Sequence, residues 1–162
     1  MRRFIYLCLI CLCFNSTLFA KQNTPLAPGF SLQGEEMTVT LHDYRGKVVL
    51  LDFWASWCVP CRASFPWMNE IQSRYKQQGL VVIAVNLDKD RALADAFLSK
   101  TEAEFTVAFD PEGEVASEYG LKGMPASFLI DAQGRILESH VGFFESEKAL
   151  REQEIKKVLN SL

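Results

Sequence analysis

Two runs of almost uninterrupted apolar residues dominate the middle of the chain. The first is KVVLLDF, from Lys47 to Phe53, and the second is LVVIAVNL, from Leu80 to Leu87. Runs of this kind, rich in Val, Ile and Leu, are typical of strands buried on both faces of a sheet. Between them, apolar residues recur at helical spacing over positions 60–78, and Gly79 follows as the expected helix terminator. The pattern predicts a βαβ unit with a parallel pair of strands.

Shorter periodic segments on both sides of this unit predict the remaining elements. Further strands are expected at 30–32, 37–41, 105–109, 126–130 and 135–141. Further helices are expected at 90–100, capped by Asp90, at 115–119, and in the last segment, capped by Ser146. The last helix carries an apolar stripe that we interpret as core packing, formed by Leu150, Ile155, Val158, Leu159 and Leu162. No repeat, low-complexity tract or domain linker interrupts the sequence, which favours one domain.

The first twenty residues differ from the rest of the chain. Arg2 and Arg3 precede an apolar run over positions 4–14, a short polar stretch follows, and a small residue stands at Ala20. This order is typical of an export signal, and the run is shorter than the about 20 apolar residues of a membrane span. Residues 1–20 are therefore predicted to be a signal peptide and residues 21–162 the exported, periplasmic domain. Because Leu18 stands where a small residue is usual, an uncleaved membrane anchor through residues 4–20 stays open as an alternative.

Export changes the meaning of the cysteine count. Three of the five cysteines lie within the predicted signal peptide, so the mature domain keeps only Cys58 and Cys61. A disulfide that closes so small a loop adds little chain-entropy stabilisation, which makes chemistry a better explanation than a structural disulfide. A zinc site is the other alternative, but one Cys-x-x-Cys supplies only two ligands, and His42 and His140 lack zinc-motif spacing. We expect no metal and no cofactor.

The charge pattern restricts the partners. The formal net charge is −3, and removal of the two signal-peptide arginines makes it −5. The sequence has no basic run or stripe, so a nucleic-acid partner is not expected.

The motif Trp57-Cys58-Val59-Pro60-Cys61 lies where the first buried strand ends and the helix begins. A thiol at a helix N-terminus faces unpaired backbone N–H groups and the positive end of the helix dipole, which favour the thiolate. The thiolate is the form that attacks disulfides. We expect an exposed Cys58 as the nucleophile, and a more buried Cys61, one turn further along, that resolves the mixed disulfide.

The string FWASWCVPCR at positions 53–62 resembles the TlpA/ResA/CcmG group of exported thioredoxin-like proteins. Further matches are APGF at 27–30, RGKVV at 45–49 and GMP at 123–125. The resemblance implies the thioredoxin fold, an α/β architecture with a central mixed sheet flanked by helices. It also implies an N-terminal β extension and a TlpA/redoxin-type insertion around residues 88–119. The activity it implies is that of an exported thiol-disulfide oxidoreductase that reduces protein disulfides.

The same resemblance assigns roles to further residues. Asp52 matches the buried aspartate of thioredoxin, and its apolar strand should raise its pKa, so that it takes the proton of Cys61. A strand-end aspartate that reaches solvent is the alternative. Pro125 matches the cis-proline that faces the cysteines and turns the backbone of Met124 towards the substrate. Trp57 is expected to form one wall of the site.

The resemblance also implies partners, and two positions depart from the group's pattern. The implied partners are a disulfide-containing protein substrate and a membrane electron donor of the DsbD/CcdA kind. Ser64 stands where members of the group commonly carry glutamate, and Asp52 is acidic where several are not, so proton handling resembles thioredoxin more closely. Cytochrome c biogenesis stays a candidate process. Val59 and Pro60 add no charge between the cysteines, which predicts a reducing poise.

Two other functions stay open at this point. One is a thiol peroxidase of redoxin type, which would turn over hydrogen peroxide. The other is a redox-sensing or binding module, which would keep its function in a Cys58→Ser variant.

Overall fold

In residues 24–162, the part of the chain that the computed structural model describes, seven strands form one mixed sheet. The strands are β1 (Ser31–Gly34), β2 (Thr38–Thr40), β3 (Val48–Trp54), β4 (Leu80–Asn86), β5 (Thr106–Phe109), β6 (Ala126–Ile130) and β7 (Ile136–Val141). Their order across the sheet is β2-β1-β5-β4-β3-β6-β7. The helices are α1 (Val59–Tyr75), α2 (Arg91–Leu98), α3 (Glu114–Glu118) and α4 (Lys148–Leu159). The predicted signal peptide, residues 1–20, lies outside the described residues.

The two apolar runs form the centre of this sheet, as the sequence predicts. Strands β3 and β4 pair in parallel, from Val48 beside Leu80 to Trp54 beside Asn86, and every residue of β3 is buried. Helix α1 connects them, and the chain leaves its last turn through Gly79, whose φ of +100° is a left-handed conformation that favours glycine. The βαβ prediction is confirmed.

Side chains of β3 alternate between two cores on opposite faces of the sheet. Val48, Leu50 and Trp54 pack with α1 and α4, whereas Val49, Leu51 and Phe53 pack on the opposite face with residues of α3. Because successive strand side chains point to opposite faces, Asp52 belongs to the face that α1 and α4 cover. The strand therefore directs a carboxylate into the core that also contains the two cysteines.

The N-terminal extension and the insertion meet in the sheet. Strands β1 and β2 form an antiparallel hairpin, and β1 pairs antiparallel with β5. The insertion supplies α2, β5 and α3, and β5 pairs in parallel with β4. The other side of the sheet is extended by the antiparallel hairpin of β6 and β7, and β6 pairs with β3. The predicted mixed sheet flanked by helices is confirmed.

Two expectations for the last helix are wrong. Helix α4 begins at Lys148, after a 3₁₀ turn over Glu145–Glu147 that contains Ser146, and no side chain of the described residues caps it. Of the predicted apolar stripe, Leu150 and Leu162 are 54% and 58% exposed. Arg151, together with Ile155 and Val158, occupies the inward positions i, i+4 and i+7 and is buried.

None of the helices in residues 24–162 combines the length and the apolar character that a membrane-crossing segment needs.

Candidate active site

The two cysteines lie at the N-terminus of α1 and form a disulfide, with 5.2 Å between their Cα atoms. Cys58 is the N-cap residue, and its Sγ accepts a hydrogen bond from the backbone N–H of Cys61 at 3.3 Å. Pro60 lies in the same first turn and has no N–H to offer. The Cys58 sulfur is therefore held at a helix N-terminus by one backbone donor, in the position that stabilises a thiolate once the disulfide is reduced.

Burial of the two cysteines differs from expectation in one respect. Cys61 is fully buried, as predicted, but Cys58 is only 5% exposed and belongs to the same apolar cluster as Phe65 and Met68. The expectation of an exposed Cys58 is wrong for this disulfide form, in which the Cys58 sulfur lies against the first turn of α1 and accepts the Cys61 N–H.

The loop before Cys58 is clamped to the end of the neighbouring strand. The buried carboxylate of Asp88 accepts two hydrogen bonds from Ser56, one from its backbone N–H at 2.8 Å and one from its hydroxyl at 3.0 Å. Asn86 donates a third bond to Asp88 at 2.8 Å and accepts the Asp88 N–H at 3.0 Å. Asp88 thus fixes the loop two residues before Cys58. Sequence analysis missed this clamp, because its partners are 32 residues apart.

Asp52 has the environment that the sequence predicts for it. The residue is 4% exposed, and its Oδ2 has no hydrogen-bond partner among the described residues. Burial raises the pKa of Asp52 to about 8, while the positive charge of Arg151 acts in the opposite direction. The alternative of a strand-end aspartate in solvent is wrong, because Asp52 lies in the middle of the sheet between Ala84 of β4 and Ser127 of β6.

Arg151 is a charged residue near the site that sequence analysis missed. It lies on α4 with its side chain 6% exposed, donates from Nη2 to the carbonyl of Gly142 at 2.9 Å, and forms an ion pair with Glu147 at 2.8 Å. Its buried Nε has no hydrogen-bond partner in residues 24–162. The available signal was an arginine at the inward helical spacing of the apolar stripe of α4.

The residues expected to contact substrate surround the end of the sheet from which α1 begins. The peptide bond between Met124 and Pro125 is cis, and the Pro125 carbonyl accepts a hydrogen bond from the N–H of Gly142 at 2.8 Å. Met124 is half-buried and packs against the cluster that contains both cysteines. Trp57, next to Cys58, is 65% exposed. The site thus has a buried sulfur pair bordered by an exposed indole and a partly exposed thioether.

Other residues around the cysteines have structural contacts. Trp54 and Trp67 are buried, as expected of packing residues. The hydroxyl of Ser64, at the position where the related group commonly has glutamate, donates to the Cys61 carbonyl at 2.7 Å. Within the described residues, no group of three or more His, Cys, Asp or Glu side chains is arranged to hold a metal ion.

Comparison with known proteins agrees with this geometry. The Redoxin family model matches residues 21–159. The chain belongs to the Redoxin family. It is 36% identical over 135 residues to the thiol-disulfide oxidoreductase ResA of Bacillus thuringiensis subsp. konkukian, a match that covers 82% of this chain and 76% of that protein.

Solved structures support the same assignment. The crystal structure of a proposed thiol:disulfide interchange protein DsbE from Chlorobium tepidum is 54% identical, with a TM-score of 0.83, and the match covers 84% of this chain and 96% of that one. The exposed lipoprotein thioredoxin Etrx1 of Streptococcus pneumoniae is 31% identical with a TM-score of 0.70, covering 83% and 100% of the two chains. This member of the Redoxin family has a thioredoxin fold and is a thiol-disulfide oxidoreductase that acts on disulfide-containing proteins. The predicted fold and enzyme class are confirmed.

Proposed function

We propose that the protein reduces disulfides of exported proteins, with Cys58 as the nucleophile, Cys61 as the resolving thiol and Asp52 as the proton acceptor. The observation that carries the proposal is the position of the Cys58 sulfur. It caps helix α1, accepts the Cys61 N–H, and can form a disulfide with a fully buried partner.

The first half of the cycle forms a mixed disulfide. In the reduced enzyme, the Cys58 thiolate attacks one sulfur of the substrate disulfide, whose S–S bond breaks. The released substrate thiolate takes a proton from water. Cys58 is the better nucleophile of the pair because it lies at the helix N-terminus, where the backbone favours its thiolate.

The second half of the cycle releases the substrate. The Cys61 thiol gives its proton to the Asp52 carboxylate, and the Cys61 sulfur attacks Cys58 Sγ. The second substrate thiolate leaves, the Cys58–Cys61 disulfide closes, and two electrons have passed from the enzyme to the substrate. The pKa of about 8 that burial gives Asp52 is close to that of a thiol, which suits it to proton exchange with Cys61.

Trp57, Met124 and Pro125 are proposed to bind the substrate beside the disulfide. The exposed indole of Trp57 and the flexible thioether of Met124 offer apolar contact to polypeptides of varied sequence. Pro125 places its cis peptide bond, and with it the Met124 backbone, at the start of β6.

The proposed location is the periplasm, reached through the signal peptide predicted at residues 1–20. In an oxidising compartment a reductase must be re-reduced, and we propose a membrane electron donor of the DsbD/CcdA kind. That donor would return two electrons to the Cys58–Cys61 disulfide by the same exchange chemistry in reverse. Cytochrome c biogenesis is one process that such a reductase could serve.

Trapping of mixed disulfides tests this assignment. A Cys61→Ser variant forms the first mixed disulfide but lacks the thiol that resolves it, so substrate proteins should accumulate in covalent complexes that dithiothreitol releases. The matched Cys58→Ser variant should trap none. Mass spectrometry of the captured proteins would identify the substrates, and heme-binding cytochromes among them would support the role in cytochrome c biogenesis. Equal trapping by both variants would contradict the assignment of Cys58 as the nucleophile.

A further inference from the structure

Arg151 is a charged side chain buried on the inward face of α4. Its side chain is 6% exposed, and its inward neighbours on the helix, Ile155 and Val158, are apolar core residues. Burial of a guanidinium costs free energy unless its N–H groups find partners. Its ion-pair partner Glu147 is 41% exposed, and ion pairs open to solvent contribute little to stability. The ion pair alone therefore does not account for the burial of Arg151.

Two successive hydrogen bonds join the guanidinium of Arg151 to the substrate side of the site. Arg151 Nη2 donates to the Gly142 carbonyl at 2.9 Å, and the Gly142 N–H donates to the Pro125 carbonyl at 2.8 Å. Gly142 has a φ of +82°, a left-handed conformation that favours glycine, and a Cβ there would lie 2.9 Å from the ring of Phe144. Gly142 thus turns its carbonyl towards α4 and its N–H towards Pro125.

The bond from Gly142 to Pro125 lies at the end of the β6–β7 ladder. The last residue pair of that ladder is Ala126 beside Val141, and Gly142 and Pro125 each lie one residue beyond it. β7 is also the last strand on this side of the sheet, so no further strand supports Gly142. The ends of strands open more readily than their centres, and here α4 supplies the support through Arg151.

Packing of Phe143 strengthens the same connection. Its ring centroid lies 5.9 Å from Arg151 Cζ and 5.7 Å from the ring centroid of Trp67 on α1. Phe143 also packs against the apolar cluster that contains both cysteines. The residues directly after β7 are therefore held between α4 and α1, next to the active site.

We propose that Arg151 is a positioning residue, which through Gly142 holds the Met124–Pro125 segment in the place where a bound polypeptide contacts it. This inference rests on the binding role proposed for Met124 and Pro125. Met124 precedes Pro125 directly and packs against the cluster of the two cysteines, so a shift of the Pro125 carbonyl moves the Met124 backbone beside the disulfide. Loss of Arg151 should weaken the reaction with polypeptides and spare disulfides that have no peptide backbone.

Arg151 also acts on Asp52 through its charge, against the rise in pKa that burial gives Asp52. This charge influences the step in which Cys61 gives up its proton. Positioning of the substrate acts earlier, when Cys58 attacks. Formation of the mixed disulfide by a Cys61→Ser variant therefore measures positioning without that later step, because the variant has no Cys61 thiol to deprotonate.

Initial rates of mixed-disulfide formation test the inference. Arg151→Met and Gly142→Ala are each combined with Cys61→Ser, and mass spectrometry after acid quenching measures the complex. The probes are insulin, a polypeptide disulfide, and hydroxyethyl disulfide, which has no peptide group. We expect each variant to lower the rate constant with insulin about tenfold, the cost of one typical hydrogen bond. With hydroxyethyl disulfide the rate constant should change by less than about twofold, because no backbone contact is lost.

Matched variants separate the connection from the charge of Arg151. Gly142→Ala keeps Arg151 and its charge, so a loss that it shares with Arg151→Met belongs to the connection, and it carries the test if Arg151→Met does not fold. Lys157→Met removes an exposed charge from the same helix and should leave both rates unchanged. Glu147→Gln removes the partly exposed ion-pair partner and should also leave them unchanged.

Amide NMR spectra of the oxidised protein test the connection without any substrate. In Arg151→Met the Gly142 N–H signal should move upfield, because its hydrogen bond to the Pro125 carbonyl lengthens. The Val82 N–H, which donates to buried Gln72 at 2.7 Å in the core, supplies the reference and should keep its position. A Gly142 signal that stays in place would overturn the inference.

Failure of the inference and failure of the proposed function give different results. Insulin rates of Arg151→Met and Gly142→Ala that match the Cys61→Ser protein would overturn the positioning role and leave the proposed function intact. An equal loss with both probes would show that Arg151 acts on Cys58 or on the fold instead of the substrate, and would also overturn the inference. If the Cys61→Ser protein forms no mixed disulfide with either probe, the proposed function is wrong and the inference fails with it.

Discussion

At the scale of single residues, Asp52 has the largest consequence for the protein. A carboxylate in the apolar core of a sheet is costly, and the protein lowers that cost mainly by keeping the group protonated. Because the pKa of Asp52 is about 8 in the folded protein and near its ordinary value of 3.8 in the unfolded chain, the folded state holds more protons between these two pH values. The contribution of the neutral Asp52 carboxyl to the free energy of unfolding is fully present below pH 4. It is lost as the pH rises through 8.

The Asp52→Asn variant should remove this dependence. Between pH 4 and 8 the free energy of unfolding of the unmodified protein should fall relative to the variant by up to about 1.4 kcal/mol for each pH unit. Above pH 8 the difference should become constant, with the variant the more stable protein. Urea unfolding of the oxidised forms at several pH values measures this difference in the free energy of unfolding.

The exposed Asp43 supplies the control, since Asp43→Asn should follow the pH dependence of the unmodified protein. A difference between Asp52→Asn and the unmodified protein that does not change between pH 4 and 8 would show that Asp52 titrates at an ordinary pKa.

At the scale of elements, the first turn of α1 determines how strongly the reduced form is stabilised. The Cys58 sulfur has the Cys61 N–H as a donor, whereas Pro60 offers none and neither Val59 nor Pro60 carries charge. Because few groups stabilise the Cys58 thiolate, the reduced form is weakly stabilised, and the dithiol is a good electron donor. The reduction potential should accordingly lie nearer to the about −270 mV of thioredoxin than to the about −120 mV of DsbA.

A Pro60→His variant should raise this potential, because an imidazole at the helix N-terminus adds both a charge and a backbone N–H. Each 1.4 kcal/mol of added stabilisation of the reduced form corresponds to about 30 mV. Equilibration with glutathione redox buffers, followed by tryptophan fluorescence, measures the change. Pro60→Ala restores the N–H without the imidazole and should give a smaller rise. An unchanged or lower potential in Pro60→His would contradict this account of the poise.

Elements whose pattern is local were predictable from the sequence, and contacts between distant segments were not. β3 and β4 are recognisable because uninterrupted apolar runs suit strands buried on both faces. The start of α4 was misplaced because a 3₁₀ turn replaces the expected cap at Ser146. The Asp88 clamp and the position of Asp52 opposite Ser127 depend on which strands are neighbours and in which register, and this information is not local.

The residues of the candidate site also divide into those that the local sequence predicts and those that it does not. Cys58, Cys61 and Asp52 lie within ten consecutive residues, so the end of one strand and the start of one helix bring them together. Pro125 could be assigned only through its resemblance to a known family. Arg151 was not predicted as a buried residue, because only the packing of α4 places it, and not Leu150, inside.

At the scale of the whole molecule, the signal peptide predicted at residues 1–20 would determine where the chain is cleaved and to which compartment it goes. The Redoxin family model begins its match at residue 21, directly after the apolar run and Ala20. We therefore expect the protein, expressed at full length in a Gram-negative host, to be recovered from the periplasm with Lys21 as its first residue. Fractionation and mass spectrometry of the N-terminal peptide measure both points, and an Ala20→Leu variant, with a bulky residue before the cleavage site, should accumulate uncleaved. Recovery of the unmodified chain with Met1 intact in the membrane fraction would instead favour the anchor through residues 4–20. Such an anchor would restrict the oxidoreductase to substrates and electron donors near the membrane surface.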